Sequence, residues 1–248
     1  MISIDLNCDL GEGMPDDEKL MPFISSANIA CGYHAGDHDL IKRTIELCLT
    51  YNVAIGAHPG FADKQNFGRE ELQLSAEAYY DLIAEQLFII QKIATDFGAI
   101  LHHIKPHGAL YNMAAKNAQL AGIIASAVKD ADPHLIVYGL SGSAAITAAN
   151  ALNLATANEV FADRTYQPDG SLTPRSQPHA LIEDDEKALV QVLQMINRGT
   201  VTTVDQQTVA IKADTVCLHG DGAHALSFAK LISQNLKQNN IAIQTIHH

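Results

Sequence analysis

The sequence lacks several features that mark common classes of protein. No apolar run approaches the roughly 20 residues of a membrane-spanning helix, so we expect no membrane partner. The N-terminal segment MISIDLNCDL has no basic stretch followed by an apolar one, and we therefore expect no signal peptide. The phosphate-binding patterns GxxxxGK(S/T) and GxGxxG are also missing, which leaves nucleotide binding without a motif.

Basic residues are scarce. The 248 residues include 16 Lys and Arg against 28 Asp and Glu, which gives a formal net charge of −12. This balance argues against general binding to nucleic acid or anionic membranes, so we expect neither as a partner. An anionic substrate would need a local basic pocket. The four cysteines contain no CxxC pair, and we interpret them as reduced thiols of a cytoplasmic protein.

Short apolar runs typical of strands alternate with amphipathic runs typical of helices. The predicted strands are residues 2–10, 27–32, 53–57, 100–105, 135–140, 157–162 and 215–219. The predicted helices are residues 37–51, 75–97, 114–130, 142–152, 184–197 and 223–238. About seven successive βα units favour parallel strands in one barrel domain over residues 1–248. Because a TIM barrel has eight strands, we expect an irregular, TIM-like α/β barrel.

Two further segments break the alternation, and two loops are long. Residues 201–212 predict a small hairpin, and residues 241–246 predict a final edge strand. The segments 59–74 and 163–182 are too long and polar for simple connections. Long loops at the carboxyl ends of barrel strands commonly carry the chemistry of such folds.

Polar residues concentrate on one face of the first predicted strand. Asp5, Asn7 and Asp9 alternate there with apolar neighbours, so the period of two places all three on the same side. Helices cover the outside of a barrel wall, and this polar face must therefore look into the barrel. Buried carboxylates are costly without partners, which predicts that partners exist.

Other strands also end in polar groups. His103, Lys105 and His107 share one face, as do His219 and Asp221. Asn28, His34, Asp37, His58, Asp163 and Arg164 lie in or just after other strands. A single such residue is ordinarily a turn or cap residue, and we interpret His38, His102, His134, His179 and His224 in that way. Convergence of the rest on one barrel mouth predicts an active site.

Seven long motifs occur in order along the chain. They are DLNCDLGEG (residues 5–13), SANIACGYHAGDH (26–38), IGAHPGF (55–61), FGRE (67–70), IKPHGALYN (104–112), FADRTYQPDGSL (161–172) and CLHGDGAHA (217–225). Together they resemble the LamB/YcsF family, whose members are the A subunits of prokaryotic 5-oxoprolinase. The resemblance implies a barrel of the glycoside hydrolase/deacetylase type. It also implies ATP-dependent hydrolysis of 5-oxo-L-proline to L-glutamate, ADP and phosphate, with Mg²⁺ accompanying ATP and with separate B and C subunits as partners.

This reaction suggests roles for the converging residues. We predict Asp9 or Asp221 as general base, Lys105 as the group that stabilises negative charge, and His107 as proton donor. Further residues are predicted to bind or orient substrate or to transfer protons, and they are Glu12, Asn28, His34, Asp37, His58, Arg69, Arg164 and His219.

Other interpretations remain open at this point. A metal-dependent amidohydrolase or deacetylase could use His34, Asp37, His58, His219 and Asp9 as ligands, although we predict no metal site because no compact motif such as HExxH is present. A Cys–His nucleophilic enzyme could use Cys31 or Cys217, although buried cysteines are commonly core residues. The chain could also be a non-catalytic subunit. ATP could bind at Gly139–Gly142 before a helix, or on a partner subunit.

Overall fold

The wall of the molecule is a closed barrel of seven parallel strands. The computed structural model describes residues 2–218 and 225–247. The barrel strands are β1 (Ile2–Leu10), β2 (Ser26–Ala30), β3 (Ala54–His58), β4 (Leu101–Ile104), β5 (Ile136–Leu140), β6 (Thr156–Phe161) and β9 (Thr215–Leu218). They pair in this order, and β9 pairs with both β6 and β1, which closes the ring. The predicted irregular TIM-like barrel is therefore confirmed.

Three short strands lie outside this ring. β7 (Thr200–Thr202) and β8 (Thr208–Ala210) form the predicted antiparallel hairpin. β10 (Ile241–Ile243) pairs with the start of β1, and Gln244 N–H donates to Ile4 O just beyond it. The predicted edge strand is thus present over the first half of its expected range.

Helices follow the strands and cover the barrel. They are α1 (Asp17–Leu20), α2 (His38–Tyr51), α3 (Ala76–Asp96), α4 (Gly108–Lys116), α5 (Ala118–Ala131), α6 (Ala144–Ala151), α7 (Asp185–Arg198) and α8 (Ala225–Gln238). The prediction of one helix over residues 114–130 was wrong. Asn117 ends α4, and its side chain accepts hydrogen bonds from the N–H groups of Gln119 and Leu120, which caps α5. Sequence periodicity also missed α1 and the 3₁₀ turn Met21–Phe23.

The two faces of β1 differ as predicted. Leu6, Cys8 and Leu10 are buried in the hydrophobic core between the strands and the helices. Asp5 and Asn7 are equally buried but bond to polar groups of other barrel strands, so they lie inside the ring. Ionisable side chains on this inner face therefore lie on the side of the barrel wall that the helices do not cover.

One irregularity in the barrel wall makes room for a side chain. The register between β3 and β4 shifts at Ile55 and Gly56. A Cβ atom on Gly56 would collide with the ring of His103, which points into the barrel from β4. Glycine is therefore required here by a close approach. Among the described ranges, no helix combines the length and the apolar character that a membrane crossing needs.

Candidate active site

A layer of hydroxyl groups lies deepest in the barrel around Asp5. The hydroxyls of Ser25, Ser26, Thr215 and Tyr138 all donate to its carboxylate. Burial raises the pKa of Asp5 above its usual value, although the four hydrogen bonds act in the opposite direction. Because all four hydroxyl partners belong to the protein, we interpret the Asp5 carboxylate as a structural group that links neighbouring strands.

The next layer is an amide network that orients the first catalytic candidate. Nδ2 of Asn28 donates to Asn7 Oδ1 and to Asp9 Oδ1, at 2.8 Å each. Nε2–H of His103 donates to Asn28 Oδ1 at 2.8 Å, and the His103 ring stacks on Tyr138. The orientation of the Asn28 amide is thereby fixed. Asn28, a predicted substrate contact, instead positions Asp9 from below.

Lys105 is the buried cation of the site. Its Nζ lies 2.9 Å from Asp9 Oδ1, 2.8 Å from Glu159 Oε1 and 3.1 Å from Cys217 Sγ. Burial alone would lower the pKa of Lys105, but the neighbouring acidic groups, Asp9 first, hold it well above its usual value. The charged ammonium is therefore favoured at neutral pH, which suits Lys105 to stabilising negative charge.

Glu159 is a site residue that the sequence prediction missed. It lies in the middle of β6 and is completely buried. A carboxylate within an apolar strand is costly unless it faces a cation. The occurrence of Glu159 inside a predicted apolar strand, two residues before Phe161, was therefore a sequence signal for a buried cationic partner. The signal went unused because the cation, Lys105, is distant in the chain.

Four further residues form a compact cluster beside Asp9. Glu12 Oε1 lies 3.3 Å from His34 Nε2, 4.0 Å from His58 Nε2 and 3.4 Å from His107 Nδ1. His58 Nε2 lies 2.9 Å from His107 Nδ1 and 3.4 Å from Asp9 Oδ2. The rings of His34 and His107 stack at 3.8 Å. We call Glu12, His34, His58 and His107 the histidine cluster.

Backbone carbonyls determine which ring nitrogens carry protons. Nδ1–H of His58 donates to Lys105 O at 2.7 Å, and Nε2–H of His107 donates to Phe67 O at 2.9 Å. A carbonyl can only accept, so the nitrogens that face the cluster carry lone pairs when the rings are neutral. Burial lowers the pKa of His34 to about 3 and lowers the pKa of His107 as well. The predicted role of His107 as proton donor is disfavoured for this reason.

The loop after β3 is shaped to hold these rings. Phe67 has a positive φ of 56°, which is unusual for a bulky side chain and directs its carbonyl at His107. Gly68 follows at φ 63°, and a Cβ there would lie 2.8 Å from His34 Cβ. A Cβ on Gly60 would lie 2.6 Å from His34 Nδ1. The predicted functional loop 59–74 thus sets the positions of two cluster histidines.

A cavity of about 470 Å³ opens above these groups. Its lining includes Asp9, Glu12, His58, Lys105, His107, Tyr111, Phe161 and Arg164, and also Arg69, Lys116 and Arg175 on its wall. The guanidinium of Arg69 lies 4.9 Å from the centre of the Phe67 ring. The acidic chain therefore presents basic groups in this cavity, as an anionic substrate requires.

Arg164 lines the cavity but is largely used for structure. Its Nε–H donates to Ala180 O at 3.3 Å and its Nη2–H to Thr173 O at 2.6 Å. Burial lowers its pKa to about 10. These bonds join residues within the long segment 163–182 and use two of the five guanidinium N–H groups.

Other predicted residues lie apart from this group. Asp37 is exposed and caps α2 by accepting from Leu40 N–H at 2.9 Å, and it does not line the cavity. Its predicted roles as a substrate contact or a metal ligand gain no support from this position and stay predictions. His219 and Asp221 lie outside the described residues, and their predicted roles stay predictions.

The cysteines and the GLSG turn are poor catalytic candidates. Burial raises the pKa of Cys31 to about 12 and that of Cys217 well above its usual value, so both are neutral thiols. In the turn after β5, the N–H groups of Ser141, Gly142 and Ser143 already donate to Glu159 O, Asn158 Oδ1 and Leu140 O. This is a tight turn whose donors are engaged, which disfavours a phosphate site there.

Known proteins resemble this chain over nearly its full length. The LamB/YcsF family profile matches residues 4–248. The A subunit of 5-oxoprolinase from Bordetella parapertussis is 52% identical over 247 residues, covering 98% of each chain. A crystal structure of a lactam utilization protein from Thermus thermophilus superposes with a TM-score of 0.93 and 37% identity, covering 99% of this chain and 100% of that one.

A more distant structure shares the fold alone. Peptidoglycan deacetylase PdaC from Bacillus subtilis superposes with a TM-score of 0.52 and 11% identity, covering 99% of this chain and 88% of that one. This likeness shows that the two proteins share the barrel fold. Sequence, fold and the conjunction of all seven motifs agree, and the chain belongs to the LamB/YcsF family.

Proposed function

We propose that this chain is the A subunit of a multi-subunit 5-oxoprolinase and contributes the site at which 5-oxo-L-proline is opened to L-glutamate. The relatives named as 5-oxoprolinase A subunits and as a lactam utilization protein support this assignment. The observation that carries it is the conjunction of a buried ammonium, Lys105, with the Asp9 carboxylate in one cavity. Lactam hydrolysis needs both a cation and a base.

The geometry fits the charge changes of ring opening. Water attack on the activated lactam carbon builds negative charge on the oxygen atoms bound to that carbon, and Lys105 is the buried donor suited to stabilise it. Asp9 would take the proton of the attacking water as general base. Arg69 on the cavity wall would hold the carboxylate of 5-oxoproline.

ATP supplies the driving force in this proposal. Phosphorylating the amide oxygen activates the lactam carbon toward water, and cleavage of the ring C–N bond then leaves an acyl phosphate. A second water hydrolyses the acyl phosphate, so the products are ADP, phosphate and L-glutamate. The GLSG turn is a poor phosphate site, since the N–H groups of Ser141, Gly142 and Ser143 donate to the protein itself. We therefore assign ATP, with Mg²⁺, to the B and C subunits or to their interface with this chain.

Glutamate release tests the proposal directly. The chain should release glutamate from 5-oxoproline and ATP when mixed with the B and C subunits, and release should fall strongly when a Lys105→Met or Asp9→Asn variant replaces it. Reconstituting the complex with these variants also separates catalysis from a purely structural role. Full turnover by complexes that contain either folded variant would reject the assigned roles.

A second candidate is supported by the histidine cluster. A carboxylate and three imidazoles at one end of a deacetylase-type barrel are also compatible with metal-dependent hydrolysis of another small lactam or amide. The two functions differ in their need for ATP. Release of product from a small lactam by the chain alone, without nucleotide, would favour the second candidate.

A further inference from the structure

We propose that Glu12, His34, His58 and His107 bind one divalent transition-metal ion, of which Zn²⁺ is the best chemical match. This deepens the proposed function, because the same cavity is involved, but it concerns an affinity of the chain itself. The absence of a compact motif such as HExxH led to the prediction of no metal site, but ligands from separate segments can form one without such a motif. The ligands come from the carboxyl end of β3, which His58 terminates, and from the segments after β1, β2 and β4.

The spacing of the four side chains fits a single ion. One ligand atom from each residue lies within 4.8 Å of all the others. Ligands about 2.0–2.1 Å from a tetrahedral Zn²⁺ are about 3.3 Å apart. The distances from Glu12 Oε1 to His34 Nε2 and His107 Nδ1 are 3.3 and 3.4 Å. The Glu12 Oε1 to His58 Nε2 distance is 4.0 Å, so side-chain shifts of up to about 1 Å would complete the geometry.

The hydrogen bonds supply an independent argument. Nε2 of His58 and Nδ1 of His107 face each other at 2.9 Å, while the opposite nitrogen of each ring donates to a backbone carbonyl. Two lone pairs at this distance repel one another unless a cation lies between or beside them. Ligating histidines almost always donate their second N–H to a carbonyl or carboxylate in the same way.

A proton is the alternative occupant, and charge distinguishes it from a metal ion. A proton between His58 and His107 satisfies that pair, and His34 can separately donate its Nε2–H to Glu12. A divalent ion uses all four groups at once. It also balances the local charge, since the Asp9 and Glu159 carboxylates contact the Lys105 ammonium while the Glu12 carboxylate contacts the histidines of the cluster.

The proposed site places the ion beside the catalytic carboxylate. Asp9 Oδ2 lies 3.4 Å from His58 Nε2, so this oxygen would be adjacent to the ion without being one of its four ligands. A bound ion of this kind supplies Lewis acidity toward a carbonyl oxygen or water. Asp9 holds the position of a proton acceptor, and Lys105 fixes it there.

Metal binding by the purified chain tests the inference without any assay of turnover. Chelator-treated protein is titrated with Zn²⁺ by calorimetry and with Co²⁺ by visible absorption. We expect one equivalent to bind, with the d–d bands of a four-coordinate nitrogen and oxygen site. His58→Ala and His107→Ala should each weaken binding more than about 100-fold, since outer partners alone are worth about 10–100-fold. His134→Ala changes an exposed histidine and should leave binding unchanged.

Circular dichroism and thermal unfolding establish that each variant is folded, and Glu12→Gln provides a nearly isosteric variant with a smaller structural effect. Absence of binding to the folded wild type, or binding that survives both histidine substitutions, would overturn the proposal. An imidazolium signal in the ¹⁵N spectrum of metal-treated protein would show that a proton occupies the position instead. Glutamate release by a complex in which this chain binds no metal would reject this inference and retain the proposed function. Metal binding by the chain without glutamate release by the complex would support this inference and reject the proposed function.

Discussion

Nζ of Lys105 lies 2.8 Å from Oε1 of Glu159, and both side chains are almost completely shielded from solvent. The pair joins β6 to the residue that follows β4, across the interior of the barrel. Asp9 approaches the same ammonium from β1. One cation therefore connects three parts of the wall, so its substitution affects folding as well as catalysis.

A double-mutant cycle measures this coupling. Lys105→Met should lower the free energy of unfolding by about 3–5 kcal/mol, because it leaves two buried carboxylates without their cation. Glu159→Gln should cost about 1–3 kcal/mol, since Asp9 still compensates the ammonium. The double variant should be more stable than the sum predicts by about 1 kcal/mol or more. Urea denaturation checks this, and strictly additive values would show that the two residues do not interact.

The fold was largely predictable because its periodic signals are local. Strand alternation placed Asp5, Asn7 and Asp9 inside the barrel, and the structure confirms their common face. Seven βα units predicted parallel pairing in an irregular barrel, and the closure of the ring between β9 and β1 is a finding of the structure. The division between α4 and α5 was missed because Asn117 breaks the helix by capping, without any glycine or proline.

The candidate site was harder to predict because it depends on contacts between distant segments. Glu159 follows no strand end, and the approach of Lys105, which the sequence does not show, accounts for its burial. Asp37 carried the same signal as His34, a polar residue after β2, yet its carboxylate caps a helix. Residue type and position indicate that a polar group needs a partner. They do not reveal whether that partner is a backbone N–H or a side chain in the cavity.

The close packing of glycine against His34 gives a prediction about the shape of the site. Gly60→Ala would place a methyl group 2.6 Å from His34 Nδ1 and displace the ring from Glu12. We expect a loss of about 1–3 kcal/mol in stability from overpacking, together with a large loss of turnover in the reconstituted complex.

A second glycine provides the matched control. Gly122 lies inside α5, and a Cβ there would meet nothing within 4 Å. Gly122→Ala should therefore raise the free energy of unfolding by about 0.5–1 kcal/mol and leave turnover intact. Thermal unfolding of the two variants compares them. Equal stability changes would mean that His34 yields to the added methyl group without cost.

The buried carboxyl of Asp5 predicts an unusual dependence of stability on pH. Its pKa is raised in the folded state, so between pH 3.8 and the raised value the folded protein binds more protons than the unfolded chain. The contribution of Asp5 to stability therefore falls as the pH rises through this window. Tyr138 and the hydroxyls of Ser25, Ser26 and Thr215 are the polar groups that face it.

Asp5→Asn removes the titrating carboxyl group. Comparison with the wild type therefore shows whether the contribution of Asp5 to stability rises or falls with pH. The variant is destabilised at all pH values, because one acceptor oxygen becomes a donor that faces hydroxyls. The destabilisation relative to wild type should be largest near pH 4 and smaller at pH 7. Urea unfolding of both proteins across this range gives the difference, and a destabilisation that grows with pH would contradict the raised pKa.

The thiols should be dispensable for turnover. Burial holds the pKa of Cys31 at about 12, and its Sγ lies 3.5 Å from Ile29 O, so no thiolate is available near neutral pH. Cys31→Ala should leave glutamate release by the reconstituted complex close to the wild-type rate. Cys48→Ala, which removes a similarly buried thiol from α2, controls for the loss of core volume. A specific loss of activity in folded Cys31→Ala would restore the nucleophilic mechanism.

Two aspartates with similar sequence signals should respond oppositely to the same substitution. Asp9→Asn keeps the size of the side chain but removes the proton acceptor beside Lys105 and His58. We expect glutamate release by the reconstituted complex to fall about 10²–10⁴-fold, the usual contribution of a general base. The change is measured in the turnover rate of protein whose folding has been verified by circular dichroism.

Asp37→Asn is the matched control, because asparagine caps helices about as well as aspartate and Asp37 lies outside the cavity. Both its stability and its turnover should remain near those of the wild type. If Asp37→Asn instead reduced turnover as strongly as Asp9→Asn, the exposed end of α2 would have to contact substrate or a partner subunit. The cavity would then extend beyond the residues that line it in the isolated chain. Both variants make the same change from aspartate to asparagine, at different positions. A loss of turnover in Asp9→Asn alone would therefore assign the general base to the position of Asp9.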